Sequence, residues 1–372
     1  MTNMTTMTAT KGRLSRCILI GCTALFAHCA LANEPEFEFG YGLGWDDNIF
    51  YSPSNETDEL FGVLDLGYKD KFQADGSPWT FKINSVYQDK HFNNEADARD
   101  KFFSGFMELR FNSEQIDYGI SIDPQYSQFV TSDTDGGLIT PGKQRISTLK
   151  SRIFSQFKIG DASSIELGAM FKTKDYRDSD SDYDSWIYDV SFRTRLSDTL
   201  RLRVGALVED REYDDRFARN NAGTTVLGET VEQTRTTGFT KVTYRPDSLQ
   251  KYSLKVYYQS NEDEFQDYHS RDKLKVVARS QYEWNNGIVL DTAFKLGNKD
   301  YDEQISDSGS SLEDDKYSID LELDVPLQRY LRSPTWEGWR GLAVVEYKEY
   351  DSGLSQREYE RTSVSLGLHK SF

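Results

Sequence analysis

The sequence WIYDVSFRTRLSDTLRLRVGALV, residues 186–208, shows the pattern that is repeated along the whole chain. Apolar or small side chains occupy every second position from Trp186 to Leu196, and the alternation resumes from Leu200 to Val208 after the short segment 197–199. A β-strand directs successive side chains to opposite faces. The stretch therefore predicts a hairpin with one apolar face and one polar face.

The same two-residue period recurs in most of the chain, and no window of comparable length has the 3.6-residue period of a helix. The clearest further examples are residues 79–87, 116–122, 165–171, 274–284, 288–296 and 317–325. Counting from Glu36, the alternation predicts about 16 antiparallel strands, within a range of 14–18. The predicted fold class is all-β.

The connections between these strands alternate between two kinds. Turn-like connections are predicted at 112–114, 160–162, 197–199, 245–248 and 285–287, with longer members at 74–78 and 328–338. Long polar connections are predicted at 46–58, 90–100, 129–144, 175–184, 210–229, 260–271, 298–315 and 350–357. Short periplasmic turns and long extracellular loops are typical of a closed transmembrane β-barrel in an outer membrane.

The physical reason for closure is that lipid offers no partner for the free N–H and C=O groups of an edge strand. A soluble sandwich of the same strands is the alternative. Lys and Arg in the middle of the strands, and strand lengths above the usual five or six residues, favour the barrel.

Residues 1–32 have the features of a secretory signal peptide. Lys11, Arg13 and Arg16 precede an apolar stretch that ends in Ala30-Leu31-Ala32, which predicts cleavage before Asn33. A lipoprotein signal is the alternative, because Leu19-Ile20-Gly21-Cys22 has the look of a lipid-acceptor box. We therefore predict two parts, a signal peptide at 1–32 and an outer-membrane barrel at 33–372, in the outer membrane of a Gram-negative cell.

Charge and cysteine content exclude several classes of protein. All three cysteines lie inside the predicted leader, so the mature chain has neither disulfides nor cysteine metal sites. The leader carries three positive charges and no negative one, so its removal changes the formal charge from −17 to −20 and argues against nucleic acid as a partner. The expected partners are membrane lipid, lipopolysaccharide and the barrel assembly machinery.

No residue pattern predicts an enzyme, a cofactor or a metal site. His91, His269 and His369 lie in no recognisable nucleophile or metal-ligand arrangement. The acidic runs 178–182 and 313–315 resemble calcium-ligand spacing. They lack the glycine and the distal glutamate of a twelve-residue binding loop, so we interpret them as solvated loops.

Aromatic residues on the apolar parity collect near strand ends, where the headgroup region of a bilayer favours them. They are Tyr68, Trp79, Tyr87, Phe111, Tyr126, Phe157, Trp186, Tyr282, Trp284 and Tyr347. The last strand places Phe372 on the same parity. We interpret Phe372 as the C-terminal signal by which outer-membrane barrels are recognised for insertion.

The opposite parity is predicted to line the lumen, and its charges are segregated. A basic wall comprises Arg152, Arg193, Arg195, Arg201, Arg203, Lys255, Lys273, Lys275 and Arg279. An acidic strip comprises Asp320, Glu322 and Asp324. Such an arrangement would set up a transverse field in a water-filled channel that favours anionic solutes. The alternative is a network of salt bridges that plugs the lumen.

The most distinctive string is GYGLGWDDNIF, residues 40–50. Its core, Trp45-Asp46-Asp47-Asn48, follows the first alternating strand and resembles the opening of the β-barrel porin 2 group. That group includes barrels encoded with exopolysaccharide and capsule synthesis genes. The resemblance implies a conduit or accessory factor for export of a surface exopolysaccharide, with polysaccharide-export components as partners. The basic wall would suit an anionic polymer.

On the same resemblance, the inward aromatics Phe106, Phe154 and Tyr257 would stack on sugar rings; ordinary filling of the lumen is the alternative. Two other functions remain open at this stage. One is a general or anion-preferring diffusion porin, and the other is a structural or adhesive barrel without transport.

Overall fold

The computed structural model describes residues 35–53, 56–93, 98–135, 138–179 and 181–372. The predicted signal peptide, residues 1–32, lies outside this described part of the chain. The described residues form sixteen strands: β1 Glu36–Asp46, β2 Glu59–Phe72, β3 Trp79–Phe92, β4 Arg99–Phe111, β5 Ile116–Asp135, β6 Leu138–Ile159, β7 Ser163–Tyr176, β8 Tyr183–Arg195, β9 Leu200–Arg219, β10 Thr225–Tyr244, β11 Gln250–Asp263, β12 Arg271–Glu283, β13 Val289–Ile305, β14 Ser311–Pro326, β15 Trp339–Ser352 and β16 Tyr359–Ser371.

The strands form one closed barrel in which each strand pairs antiparallel with its neighbours in sequence. Closure is made by β1 and β16, whose register runs from Glu38 opposite Ser371 to Asp46 opposite Ser363. The predicted all-β closed antiparallel barrel of sixteen strands is confirmed. A five-residue helix α1, Leu327–Leu331, and a 3-10 turn, Pro334–Trp336, lie in the connection between β14 and β15. No helix in the described ranges is long and apolar enough to cross a bilayer.

The outer surface of the barrel is apolar. Large hydrophobic side chains face outward with high exposure in the isolated chain, such as Leu43 at 61%, Ile153 at 61% and Leu366 at 66%. A soluble protein does not leave so large an apolar surface in water. A closed barrel with this outer surface is the form in which β-strands cross the outer membrane, and the chain is an outer-membrane β-barrel.

Outward tyrosines mark the two membrane boundaries. On the long-loop side, the hydroxyl of Tyr87 donates to Asp89 (3.0 Å) and that of Tyr347 donates to Glu349 (3.0 Å), two residues further along each strand. On the short-turn side, Tyr68 donates to Asp70 (3.2 Å). These rings lie where the outer face changes from apolar to polar, as amphipathic aromatics do at a headgroup region.

Three of the predicted long loops are wrong. The segment 298–315 is largely strand, because β13 extends to Ile305 and β14 begins at Ser311, so the acidic run 313–315 lies in a strand and not in a solvated loop. The segment 129–144 is mostly paired strand, because β5 and β6 remain in register as far as Asp135 and Leu138. The segment 210–229 is likewise formed largely by β9 and β10. In β9 the outward Asp210, Glu212 and Asp214 are exposed, so both parities are polar there. An alternation test for an apolar face cannot detect a strand that continues beyond the lipid.

The motif at 45–48 fastens the closing strand pair. Asp46, at the end of β1, is fully buried and accepts hydrogen bonds from Arg361 Nε on β16 (2.8 Å) and Lys90 Nζ on β3 (2.6 Å). Asp47 Oδ1 accepts from the backbone N–H of Thr362 (2.6 Å). The motif therefore joins the first strand to the last strand.

Asn48 adds further hydrogen bonds between β16 and the connection that follows β1. Its side-chain amide donates to the carbonyl oxygens of Ser52 (2.8 Å) and Glu360 (2.9 Å), and its Oδ1 accepts from the Ser52 N–H (2.9 Å). The connection then packs Ile49 and Phe50 into a buried cluster at the extracellular mouth, together with Phe61, Phe92, Ala98 and Val130. Trp45 faces outward.

We predict that Asp46→Asn destabilises the barrel. The change leaves Arg361 and Lys90 buried beside a neutral group, and breaking a buried ion pair in this way costs about 3–5 kcal/mol. The thermal midpoint of the conversion from folded to unfolded migration in detergent gels should fall. Asp58→Asn, the same change at an exposed position of the same connection, is the control. Equal midpoints for the two variants would contradict the proposed role of Asp46 in holding β1 to β16.

Candidate functional site

All nine residues of the predicted basic wall lie on strands at positions that alternate with the outward apolar residues. Arg201 and Arg203, for example, alternate with Leu202 and Val204 on β9. The side chains of the wall therefore face the lumen, which we take as the candidate functional site. Lys241 on β10 and Lys251 on β11 also alternate with outward residues. Sequence reasoning missed both, because β10 has a weak apolar period.

Three of the predicted wall residues share one buried carboxylate. Glu166 on β7 lies within 3.0 Å of Arg152, 2.8 Å of Arg193 and 3.5 Å of Arg203. Arg152 also pairs with Asp189 at 2.7 Å. This part of the wall is a salt-bridge network, as the plugged alternative expects.

The remaining wall residues have no such partner. Within the described ranges, no Asp or Glu oxygen lies within 4.0 Å of Arg195, Arg201, Lys255, Lys273, Lys275 or Arg279, and the same holds for Lys241 and Lys251. The wall is thus divided into a partly neutralised group near Glu166 and a larger group whose charges face the lumen uncompensated.

Several of these cations lie directly opposite one another in the strand ladder. Arg193 pairs with Arg203, Arg203 pairs with Lys241, and Lys241 pairs with Lys255, so four consecutive strands carry one row of positive charges. Arg195 pairs with Arg201 in the next row. We call the four residues of the first row the cationic rung. Like charges directly opposite destabilise a sheet, so the rung is a feature that packing alone does not explain.

The acidic strip on β14 is only partly free. Asp320 pairs with Lys295 at 2.5 Å, and Asp324 pairs with Arg340 at 2.5 Å and with the Nε2 of His369 at 3.2 Å. Glu322 has no cation within 4.0 Å among the described residues, and it lines a cavity of about 640 Å³ together with Glu38 and Asp65. In the closed ring β14 lies across from β6. The strip therefore lies across the ring from the strand that carries Arg152, and β13 separates it from the nearest other strand of the basic wall, β12.

Lumen phenylalanines cover glycines on neighbouring strands. Phe154 lies opposite Gly119, where an added Cβ would come within 2.9 Å of the Phe154 ring. The ring is buried, with the guanidinium carbons of Arg110 and Arg152 at 4.9 and 5.3 Å from its centroid. The same arrangement recurs in the pairs Phe61/Gly44 and Phe239/Gly205.

Of the rings predicted to stack on sugars, Phe154 therefore fills the space above Gly119 in the barrel wall. Tyr257 lies beneath Lys255, whose Nζ is 3.9 Å from the ring centroid. Phe106 is half-buried on β4. None of the three presents a fully open ring to the lumen.

The acidic runs outside the membrane have partners within the protein. Arg145 donates from its Nη2 to Asp178 Oδ1 (2.5 Å), and this hydrogen bond holds the pKa of Asp178 below its ordinary value. Asp314 is buried and accepts from Tyr301, Tyr350 and Ser352. Within the described segments, no three His, Cys, Asp or Glu side chains are arranged to hold a metal ion.

His269 lies in the extracellular connection between β11 and β12. Burial, followed by the nearby guanidinium groups of Arg216, Arg219 and Arg271, lowers its pKa to about 3. The imidazole is therefore neutral at physiological pH, and it is 6% exposed. It contributes no charge to the extracellular mouth.

No family model matches the sequence, and no curated protein matches it. Among solved structures, the chain is similar to OccAB4 of Acinetobacter baumannii, with 9% identity, a TM-score of 0.46, and coverage of 91% of this chain and 99% of that chain. It is also similar to the outer membrane protein opdK from Pseudomonas aeruginosa, with 9% identity, a TM-score of 0.47, and coverage of 92% and 100%. These identities and TM-scores assign neither a family nor a transported solute to the chain.

Proposed function

We propose that the protein is a diffusion channel of the outer membrane that prefers anionic solutes. The observation that carries this proposal is the cationic rung, Arg193, Arg203, Lys241 and Lys255, together with the neighbouring unpaired Arg195 and Arg201. A wall of uncompensated positive charge raises the local concentration of anions in a narrow aqueous space.

Export of a surface exopolysaccharide is the function that the resemblance at Trp45–Asn48 implies. The described contacts do not favour it over diffusion. Asp46, Asp47 and Asn48 bind β16 and the first connection, which is a role in barrel closure. Phe154 is buried over Gly119 and offers no stacking face.

We predict that reversing two charges of the rung reverses or abolishes anion preference. In Lys241→Glu/Lys255→Glu, each substitution changes the charge by two units and the local energy of a passing ion by about 2 kcal/mol at contact distance in water. The measurement is the reversal potential of single channels in a planar bilayer under a KCl gradient. The wild type should favour chloride, and the double variant should favour potassium or neither ion.

The matched control is Arg332→Glu, which removes a cation from an exposed position in the connection between β14 and β15. Its reversal potential should stay close to that of the wild type. Cation preference in the wild-type channel, or an equal shift in the control and the double variant, would refute the proposal.

Higher ionic strength should weaken the preference of the channel for anions. The Debye length is about 10 Å at 0.1 M salt and about 3 Å at 1 M, so a wall of lumen charges acts across the channel only in dilute salt. We predict a larger chloride-to-potassium permeability ratio near 0.1 M KCl than near 1 M KCl. A ratio that does not change with salt would place the selectivity in close contacts instead of in the field of the wall.

Liposome swelling separates diffusion from export. A diffusion channel admits small neutral sugars and small organic acids into proteoliposomes, with the acids faster than neutral solutes of equal size. We predict this order for the wild type and a smaller difference for Lys241→Glu/Lys255→Glu. Proteoliposomes that do not swell in any small solute would favour an export or structural role.

A further inference from the structure

A second cavity, of about 710 Å³, lies on the inner side of the periplasmic rim. It is lined by the β6–β7 turn, Gly160 to Ala162, and by residues of β6 to β10, most of which face inward. Its cationic lining residues are Lys158, Arg193, Arg195, Arg201, Arg203 and Lys241. We call this cavity the periplasmic vestibule. Its volume is in the range of small-molecule sites.

The charges of the vestibule are not balanced by the protein. Lys158 pairs with Asp117 at 2.9 Å. Arg193 and Arg203 share Glu166 with Arg152, so this carboxylate cannot neutralise both of them. Arg195, Arg201 and Lys241 have no Asp or Glu oxygen within 4.0 Å among the described residues.

Two acidic residues, Glu114 and Asp161, also line the cavity. Both are exposed, and within the described ranges neither forms an ion pair with a cation of the vestibule. The wall therefore keeps an excess of positive charge when these carboxylates are counted.

A hydrogen-bond donor is also left over. The Nε of Arg193 is buried and has no hydrogen-bond partner among the described residues, while the Nη2 atom of the same guanidinium contacts Glu166. A buried donor without a partner is costly. Together with the facing pairs Arg193/Arg203 and Arg195/Arg201, this donor gives the wall more positive charge and hydrogen-bond donors than its carboxylates accept.

The chemistry of the wall points to one class of ligand. Guanidinium groups present planar forks that match carboxylate and phosphate oxygens, and an ammonium group adds a compact point charge. Arg195, Arg201 and Lys241 come from three strands that are consecutive in the ring. An ion with one negative charge can neutralise only one of them.

We propose that the periplasmic vestibule is a saturable binding site for a small oxyanion that carries two or more negative charges. The inference deepens the proposed function, because it names a site and a solute class within the lumen of the same channel. Phosphoryl and carboxyl compounds share the required chemistry, and the choice of probes separates them.

The test is isothermal titration of the full-length barrel in detergent with inorganic tripolyphosphate, citrate and acetate at low salt. We expect saturable binding of a multivalent probe and none of acetate. In Arg195→Gln/Arg201→Gln, the loss of two charge-assisted contacts should weaken binding by at least about tenfold. Arg332→Gln in the exposed connection between β14 and β15 is the control and should bind as the wild type does.

Folding of each variant is checked by heat-modifiable migration, so that loss of binding is not mistaken for loss of the barrel. Tripolyphosphate binding without citrate binding identifies a phosphoryl site, and the reverse identifies a carboxylate site. No saturable binding of either multivalent probe, or equal binding of acetate, overturns the inference.

Bilayer recordings distinguish the absence of a binding site in the vestibule from the absence of the proposed anion-selective channel. Chloride preference without multivalent binding would leave the channel proposal intact and remove the site. Multivalent binding in a channel without chloride preference would support the site and overturn the proposed function.

Discussion

In hydrocarbon, a strand edge has no partner for its N–H and C=O groups, so the fold depends on the pairing of the first strand with the last. Nine register pairs join β1 to β16. The buried group of Asp46, Arg361 and Lys90 adds a side-chain contact across the same seam. A barrel can carry an apolar outer face and a charged inner face only when this seam is closed.

The closed barrel surrounds an interior that water can reach. Charged side chains can lie there without a partner of opposite charge, which a packed core would not permit. Glu166 neutralises part of the positive wall, whereas Lys241 and Lys255 lie opposite each other without a carboxylate. The repulsion between two such charges is about 1 kcal/mol at 4 Å in water and far larger in a dry interior. The cationic rung, in which only Arg193 and Arg203 contact a carboxylate, is therefore compatible with stability only in a hydrated lumen.

The interior is also shaped by apolar groups. Phe154 fills the space that Gly119 leaves on the neighbouring strand, and Phe239 does the same for Gly205. At the extracellular mouth, Ile49 and Phe50 of the first connection pack against Phe61 and Phe92. Aromatic side chains on the inner face thus thicken the wall, and the charged side chains between them determine the field.

The two-residue period of the sequence by itself determined the all-β class, a number of strands near sixteen and the inward face of the nine residues of the basic wall, because alternation records directly which side of a strand meets lipid. It could not determine the lengths of β5, β6, β9 and β10 beyond the membrane, where both faces are wet. Only the tertiary structure decided which cations are neutralised, because Arg152 and Arg193 meet Glu166 through strand register. It also gave Asp46 its role, since its partners Lys90 and Arg361 are distant in sequence.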